Sequence, residues 1–345
     1  MHFHISHPLQ PLWNIVAAPI QIQAVEQAIE HRLFPLLQQP ACADAVAERL
    51  GLHPSATEVW LDLLWSLELL VRQIPNTPPS VPEYVASPLA ARFFVEASPD
   101  NCAQAWLYRA RFLSRFSTQW EVLLREGYES QGVASAAAPE GSWAKAAREQ
   151  IGQEQRAITV PAVLRLLETL PCLPETGRLL DLGGGPGHVG IALAQHLSTW
   201  QGAICDQPET AEVAADNIRQ AGLADRLEAL GRDLNTDDIG HGYDLIWCSS
   251  VLHFLRDPQQ AVRKMQDALN PGGLLLLAHA ELSNDAELAA RVMPFYGTVK
   301  VRGNMLPRPG EVSRMMETAG FSDIRTLGRI DFPMAPVWLH QGRKV

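Results

Sequence analysis

Apolar positions along the chain follow two different periods, and the switch between them divides the sequence. From about residue 12 to 37 they fall at Ile15, Val16, Ile20, Ile22, Val25, Ile29, Leu33 and Leu37, a helical spacing. A short helix is predicted over 41–50, a turn at Gly51-Leu52-His53-Pro54, and a further helix over 56–70. Ser55-Ala56-Thr57-Glu58 there reads as a capping box. A proline-rich stretch, 74–82, separates these from a helical segment over 101–127 that holds Trp106, Tyr108, Phe112, Phe116 and Trp120. Residues 129–141 have no period and predict a surface loop, and 153–170 predicts a helix.

Beyond residue 177 the pattern changes. Arg178-Leu179-Leu180-Asp181-Leu182 is a short apolar run that ends near an acid and breaks into Gly183-Gly184-Gly185-Pro186-Gly187. The next segment, 188–197, carries Val189, Ile191, Leu193, Ala194 and Leu197 at helical spacing. Strands are then predicted at 203–206, 227–234, 243–250 and 274–280, with helices between them. A helix over 310–319 leads to 324–330 and 337–343, read as an antiparallel pair at the sheet edge. This alternation predicts an α/β doubly wound sheet behind a helical N-terminal region. The expected division is 1–100, 101–170 and 171–345.

A strand, a glycine turn and a helix start hold nucleotide-like ligands in such sheets, because glycine admits φ > 0 and close backbone approach. The spacing narrows the ligand. Gly183, Gly185 and Gly187 give G-x-G-x-G, not the G-x-G-x-x-G of dinucleotide binding, and no Lys-Ser/Thr follows to make a phosphate loop. Asp181 beside the loop would repel a phosphate and suits a ligand with hydroxyls and an amine.

With Asp181, Gly183, Gly185 and Gly187 in this order, the segment resembles the first motif, D-x-G-x-G-x-G, of class I S-adenosylmethionine (SAM)-dependent methyltransferases. The resemblance covers nearly the whole chain. Residues 44–51, 61–70 and 84–90 resemble the winged-helix-like dimerisation domain of the small-molecule O-methyltransferases, with Glu68 standing where those enzymes usually have glycine. Asn270-Pro271-Gly272-Gly273 before a leucine run extends the likeness through the catalytic domain. It implies a Rossmann-like methyltransferase domain, a helical N-terminal domain intertwined in a homodimer, and SAM as cofactor. By the same resemblance Asp206 reaches the ribose hydroxyls, although an acid at a strand end can also be a plain turn residue. Asp233 would accept from the adenine amine with Leu234 flanking the ring, and Gln207 and Ser249 complete the cofactor contacts. Residues 101–127 would roof an acceptor site, which makes Trp106 and Phe112 pocket or core, and the apolar stretch 291–308 with Met293, Tyr296 and Met305 would form its lid.

If the acceptor is a hydroxyl, a base is needed, and His253 after the fourth strand falls where the family keeps one. The family writes His-Asp-Trp there; this chain has His253-Phe254-Leu255. The family also supports its histidine with carboxylates, yet the fifth-strand position here is His279, and 303–308 offers no acid. His253 is thus a base or a lining residue, and His279 a second proton carrier or a substrate contact. Two histidines without a carboxylate make a poor metal site, and none is expected.

Composition limits the alternatives. A net charge of −10 argues against a nucleic-acid partner and so against a winged-helix regulator. No apolar run reaches the roughly 18 residues of a spanning helix. Met1-His2-Phe3-His4 does not read as a signal peptide, and five scattered cysteines with no C-x-x-C suggest reduced thiols in a cytoplasm. The expectation is a methyltransferase acting on a small hydrophobic, aromatic or polyketide-like molecule in secondary metabolism, most simply at oxygen. C-, N- or S-methylation, or a SAM-binding relative with another reaction, are the alternatives.

Overall fold

The computed structural model describes residues 7–75, 80–127, 142–170 and 173–345. The first four residues, the loop expected over 129–141, Cys172 and part of the proline-rich stretch lie outside the described residues. The chain divides into two compact units, the first ending at Ala110 and the second beginning at Arg111.

In the first unit the long apolar stretch forms a helix, Gln10–Glu30, which ends where Arg32 turns left-handed at φ 54°. Its second half packs inward with Leu33, Phe34, Leu37, Val46, Leu61, Leu64 and Tyr84. Helix Ala43–Leu50 closes on Gly51 at φ 66°. The next helix is Pro54–Ser66, so proline occupies the first helical turn and His53 the cap. The expected capping box therefore does not form; Ser55 Oγ pairs with His53 Nδ1 at 3.0 Å instead. The helix also stops short of residue 70, because Glu68 adopts φ 60° and Leu70 enters a strand. Beside its helices the unit carries a small antiparallel sheet of β1 (Ala41–Cys42), β2 (Leu70–Gln73) and β3 (Glu83–Ala86) in the order β1-β3-β2, which the apolar pattern did not reveal.

In the second unit a helical run begins at Ser142, earlier than expected, and continues to Leu167 through two π-helical stretches, Ala147–Ile151 and Gln155–Thr159. The sheet comprises β4 (Arg178–Leu182), β5 (Gln201–Asp206), β6 (Leu227–Gly231), β7 (Tyr243–Ser249), β8 (Leu269–His279), β9 (Phe321–Ile330) and β10 (Val337–Lys344). Their order is β6-β5-β4-β7-β8-β10-β9, parallel up to β8, with β10 antiparallel to both its neighbours, as the edge pair predicted. β8 starts at Leu269 rather than 274, with a register irregularity that lets Asn270 to Gly273 bulge between pairs.

The central strands are apolar on both faces, as a helix-covered parallel sheet requires. Leu179, Trp247, Leu276 and Ala278 face one core with Val163, Val189 and Leu193 from the covering helices. Leu180, Leu182, Cys248, Leu275 and Leu277 face the other with Val262, Met265, Val312 and Met316. Among the described residues no helix is long and apolar enough to cross a membrane.

Candidate active site

The register of the sheet decides which side chains meet. Leu182 pairs with Cys205 on one side and Cys248 on the other, and Cys248 pairs with Leu277. One step further along each strand lie Gly183, Asp206, Ser249 and Ala278, all at the carboxyl ends of parallel strands. The strand order reverses between β4 and β7, which is where doubly wound sheets bind their ligands.

The glycine loop is built for close approach. Gly183 has φ 69°, and a Cβ there would lie 2.2 Å from Val251 Cγ2, so the turn after β7 packs directly on the loop. Gly187 caps helix His188–His196 at φ 82°, and its missing Cβ makes room for Ile204 and Ala214. Gly185 is also left-handed, at φ 59°.

Asp181 does not face the mouth of this loop. It is 2% exposed, and Oδ2 accepts from the Gly190 amide at 2.8 Å, beneath the places where side chains on Gly184 or Gly190 would sit. It shares the strand face of Leu179, under the helix, and holds the loop's shape from there. Burial drives its carboxyl up to about 7, against the Gly190 hydrogen bond, with Asp206 adding to the rise.

Asp206 does reach the loop. Its Oδ2 accepts from the Gly185 amide at 2.8 Å and its Oδ1 from the Gln207 amide at 2.7 Å. Burial raises its pKa despite those bonds. Gln207 is exposed and donates from Nε2 to Asp233 Oδ1 at 3.3 Å. Asp233 is further held by the amide and side chain of Asn235, which keep its carboxyl below the usual range. Leu234 is buried in the second core, and Ser249 is half-buried at the end of β7. These positions form one arc from the glycine loop across β5 to the turn after β6.

Gln155, missed in the sequence, pins the loop from outside. In the second π-helical stretch it donates from Nε2 to the Gly184 carbonyl at 3.0 Å and accepts from the His188 amide at 3.1 Å. π-Helical turns often sit at functional positions, but an isolated glutamine gives no sequence signal. His188 is directed to Arg156, 2.8 Å from Nε2, and burial pushes its pKa down to about 4.

At the other side of the switch point stand the two histidines. His253, on a short 3₁₀ turn over Leu252–Phe254, is 4% exposed, and His279 at the end of β8 is fully buried. His253 Nδ1 lies 3.1 Å from His279 Nε2, and His279 Nδ1 lies 2.7 Å from the Ala280 carbonyl. Burial holds His253 well below the ordinary imidazole value, and His279 falls to about 4. Both ring nitrogens of His279 are engaged within the protein. Tyr296 backs both rings, perpendicular to His253 at a centroid distance of 5.5 Å, and its hydroxyl is 3.3 Å from Ser250 Oγ. Ser250 is left-handed at φ 55°.

The expected acceptor residues fare unevenly. Tyr296 is 1% exposed and supports the histidines rather than lining a mouth. Met305 is half-buried against the second core, and Met293 is exposed. Phe112 is half-buried with the Arg302 guanidinium 5.6 Å from its ring centre. Trp106 packs within the first unit, edge-on to Phe94 at 6.1 Å, so the structure gives it a core partner. The sequence missed Phe254 and Trp143 as site aromatics. Phe254 lies tilted against His253, with ring centres 4.0 Å apart, and meets Trp143 edge-to-face at 5.1 Å, and both remain exposed.

A parallel sheet with one antiparallel strand, β10, next to its edge, a left-handed G-x-G-x-G loop and acids after the next two strands define a class I methyltransferase. Comparison agrees. Residues 180–275 match the family model described as a methyltransferase domain. The L-tyrosine C(3)-methyltransferase of Streptomyces lavendulae is 30% identical over 173 residues, 49% of this chain; the chain spans about half (47%) of that relative. The tetracenomycin polyketide synthesis 8-O-methyl transferase TcmO of Streptomyces glaucescens is 27% identical over 94% of both chains. The fold matches human N-acetylserotonin methyltransferase in complex with SAM, at 20% identity and a TM-score of 0.77, over 100% of this chain and 99% of that one. Residues 180–275 carry a methyltransferase domain, and over nearly its whole length the chain is similar to a small-molecule O-methyltransferase. Its cofactor is SAM, and the residues fit it: three left-handed glycines turn the backbone tightly at the carboxyl end of β4, and Asp206 presents its carboxylate at the edge of that loop.

Proposed function

We propose that this enzyme methylates a small, hydrophobic, aromatic hydroxyl compound of secondary metabolism, with His253 taking the acceptor's proton. The cofactor supplies a methyl group already activated on a sulfonium. The protein's own work is then to align the acceptor, keep water out and receive a proton. Asp206 and Gln207 orient the ribose, Asp233 the adenine, and Leu234 and Ser249 line the cleft between them, while Asp181 and Gln155 hold the loop's shape from below and outside. The observation that carries the reading is His253 itself. It is held on a turn packed against Gly183 through Val251, its Nε2 makes no hydrogen bond among the described residues, and two exposed aromatic rings, Phe254 and Trp143, adjoin it. Rings so placed suit a flat apolar acceptor. TcmO, an O-methyl transferase of polyketide synthesis by name, supports the same choice. Incubation with methyl-labelled SAM and a panel of aromatic hydroxyl compounds, followed by mass analysis of the product, tests it. An O-methyl product is expected; transfer only to carbon or nitrogen, as the tyrosine C(3) relative's name describes for that enzyme, would contradict it.

The same proposal includes a homodimer through the N-terminal unit. The first half of helix Gln10–Glu30 leaves Leu12, Trp13, Ile15, Val16 and Ile20 more than half exposed, an apolar face too large for a free surface. A second copy is the occupant that matches it. Ile15→Glu with Ile20→Glu should lower the mass seen in sedimentation from dimer to monomer; a wild-type chain that sediments as a monomer would contradict the dimer.

A further inference from the structure

We infer that His279 is a positioning residue that fixes His253 in one neutral tautomer, and that this relay, anchored on a backbone carbonyl instead of a carboxylate, confines the enzyme to acceptors whose hydroxyl ionises near neutral pH. The inference rests on His253 as the base.

The tautomers follow from the partners. A carbonyl only accepts, so the 2.7 Å contact to Ala280 places the proton of His279 on Nδ1. Its Nε2 then offers a lone pair, and the 3.1 Å contact requires His253 to donate from Nδ1. A neutral ring has one proton, so His253 Nε2 is left as the bare acceptor. The alternative, a doubly protonated His279 donating to His253, is opposed by burial, which leaves His279 neutral down to about pH 4.

A relay of this kind orients a base but does little for the charge it acquires. In the transfer the acceptor's O–H bond breaks and its proton goes to His253 Nε2. The oxygen's electron pair forms the new bond to the methyl carbon, and the pair of the S–methyl bond stays on sulfur. The proton is later lost to water. During the step His253 becomes a cation, and the groups that contact its ring among the described residues are neutral: His279 from β8, Tyr296 from the helix Ala286–Lys300, and Phe254 from its own turn. Glu281 Oε1 and His340 Nε2 pair with each other at 2.9 Å, with Ser313 and Thr326 on the far ring nitrogen of His340. Among the described residues no carboxylate bonds either ring of the relay. Each unit by which an acceptor hydroxyl is less acidic than the protonated base reduces proton transfer about tenfold. Enolic hydroxyls conjugated to a carbonyl and phenols bearing electron-withdrawing groups are the class that such a base can serve.

Two measurements test this on the intact enzyme. With ¹⁵N-labelled histidine and S-adenosylhomocysteine bound, NMR should show His253 protonated on Nδ1 and bare on Nε2 from pH 8 down past the ordinary imidazole value of about 6.5. A proton on Nε2, or an imidazolium at pH 7, would overturn the relay. Against phenols and hydroxycoumarins whose hydroxyl pKa runs from about 6 to about 10, kcat/KM at pH 7 should fall at least about threefold per unit. His279→Gln, whose amide can donate to Ala280 and accept from His253, should keep that slope and most of the activity. His279→Glu should flatten the slope and move the acid limb of the pH–rate profile upward, which a merely structural role would not do. A flat wild-type series, or a Glu variant with unchanged slope and limb, would overturn the inference alone. Failure to methylate any hydroxyl while SAM binds would overturn the base assignment and this inference with it.

Discussion

Asp181 provides a test that reads a buried charge through stability. Replacing it with asparagine keeps an oxygen to accept from Gly190 and removes only the ionisation. The folded carboxyl holds its proton up to about pH 7, whereas the unfolded one loses it near 3.8. An acid whose pKa is raised by folding leaves stability untouched while both states keep the proton. It then costs stability progressively as pH rises from the unfolded to the folded value, and the cost is constant above. At roughly 1.4 kcal/mol per unit, the penalty is about 2 kcal/mol at pH 5 and about 4 kcal/mol at pH 7 and beyond. Asp206 shifts in the same direction and is present in both proteins, so the difference reports the ionisation of Asp181 together with its coupling to Asp206. Urea unfolding of the second unit, followed by the fluorescence of buried Trp200 and Trp247, gives the comparison at pH 4, 5, 6, 7 and 8. Asp181→Asn should match the wild type at pH 4 and gain on it steadily to pH 7. Parallel stability curves, with no change in the difference across that range, would refute a buried carboxylate under the loop.

Other positions make separate predictions. Gly183→Ala forces a Cβ to within 2.2 Å of Val251 at φ 69°, and calorimetry should show SAM binding lost or weakened by at least about tenfold, a cost of about 1.4 kcal/mol or more. Glu68→Gly removes about 1–2 kcal/mol of left-handed strain and returns about 0.5–1 kcal/mol as unfolded-chain entropy. A higher melting temperature of the first unit is expected; a lower one would mean that the Glu68 side chain matters more than its backbone.

Much of the site was legible because it depends on local chemistry. G-x-G-x-G needs left-handed φ at Gly183, Gly185 and Gly187, and the structure has all three. The apolar runs of β4, β5 and β7 announce a parallel sheet, and strand ends then bring Asp206 and Ser249 to the loop. What escaped depends on partners distant in sequence. β1, β2 and β3 are two to four residues long, too short for a period to register. Gln155 earns its role only from a loop about thirty residues later, and nothing in its neighbourhood marks it. The face of Asp181 was available from its parity: it alternates with Leu180 and Leu182 and so shares the face of Leu179. The glycine that relatives keep at Glu68 became intelligible once its backbone was seen at φ 60°. His279 looked like a lost carboxylate in the sequence; its 2.7 Å contact with Ala280 shows what stands in its place.

The central claim is that a proton leaves the acceptor to His253. Its most direct test is kcat for His253→Ala at saturating SAM and acceptor, with cofactor affinity measured alongside. The account predicts a loss of roughly 10²-fold or more in kcat with SAM affinity unchanged; a loss of under about threefold would contradict it.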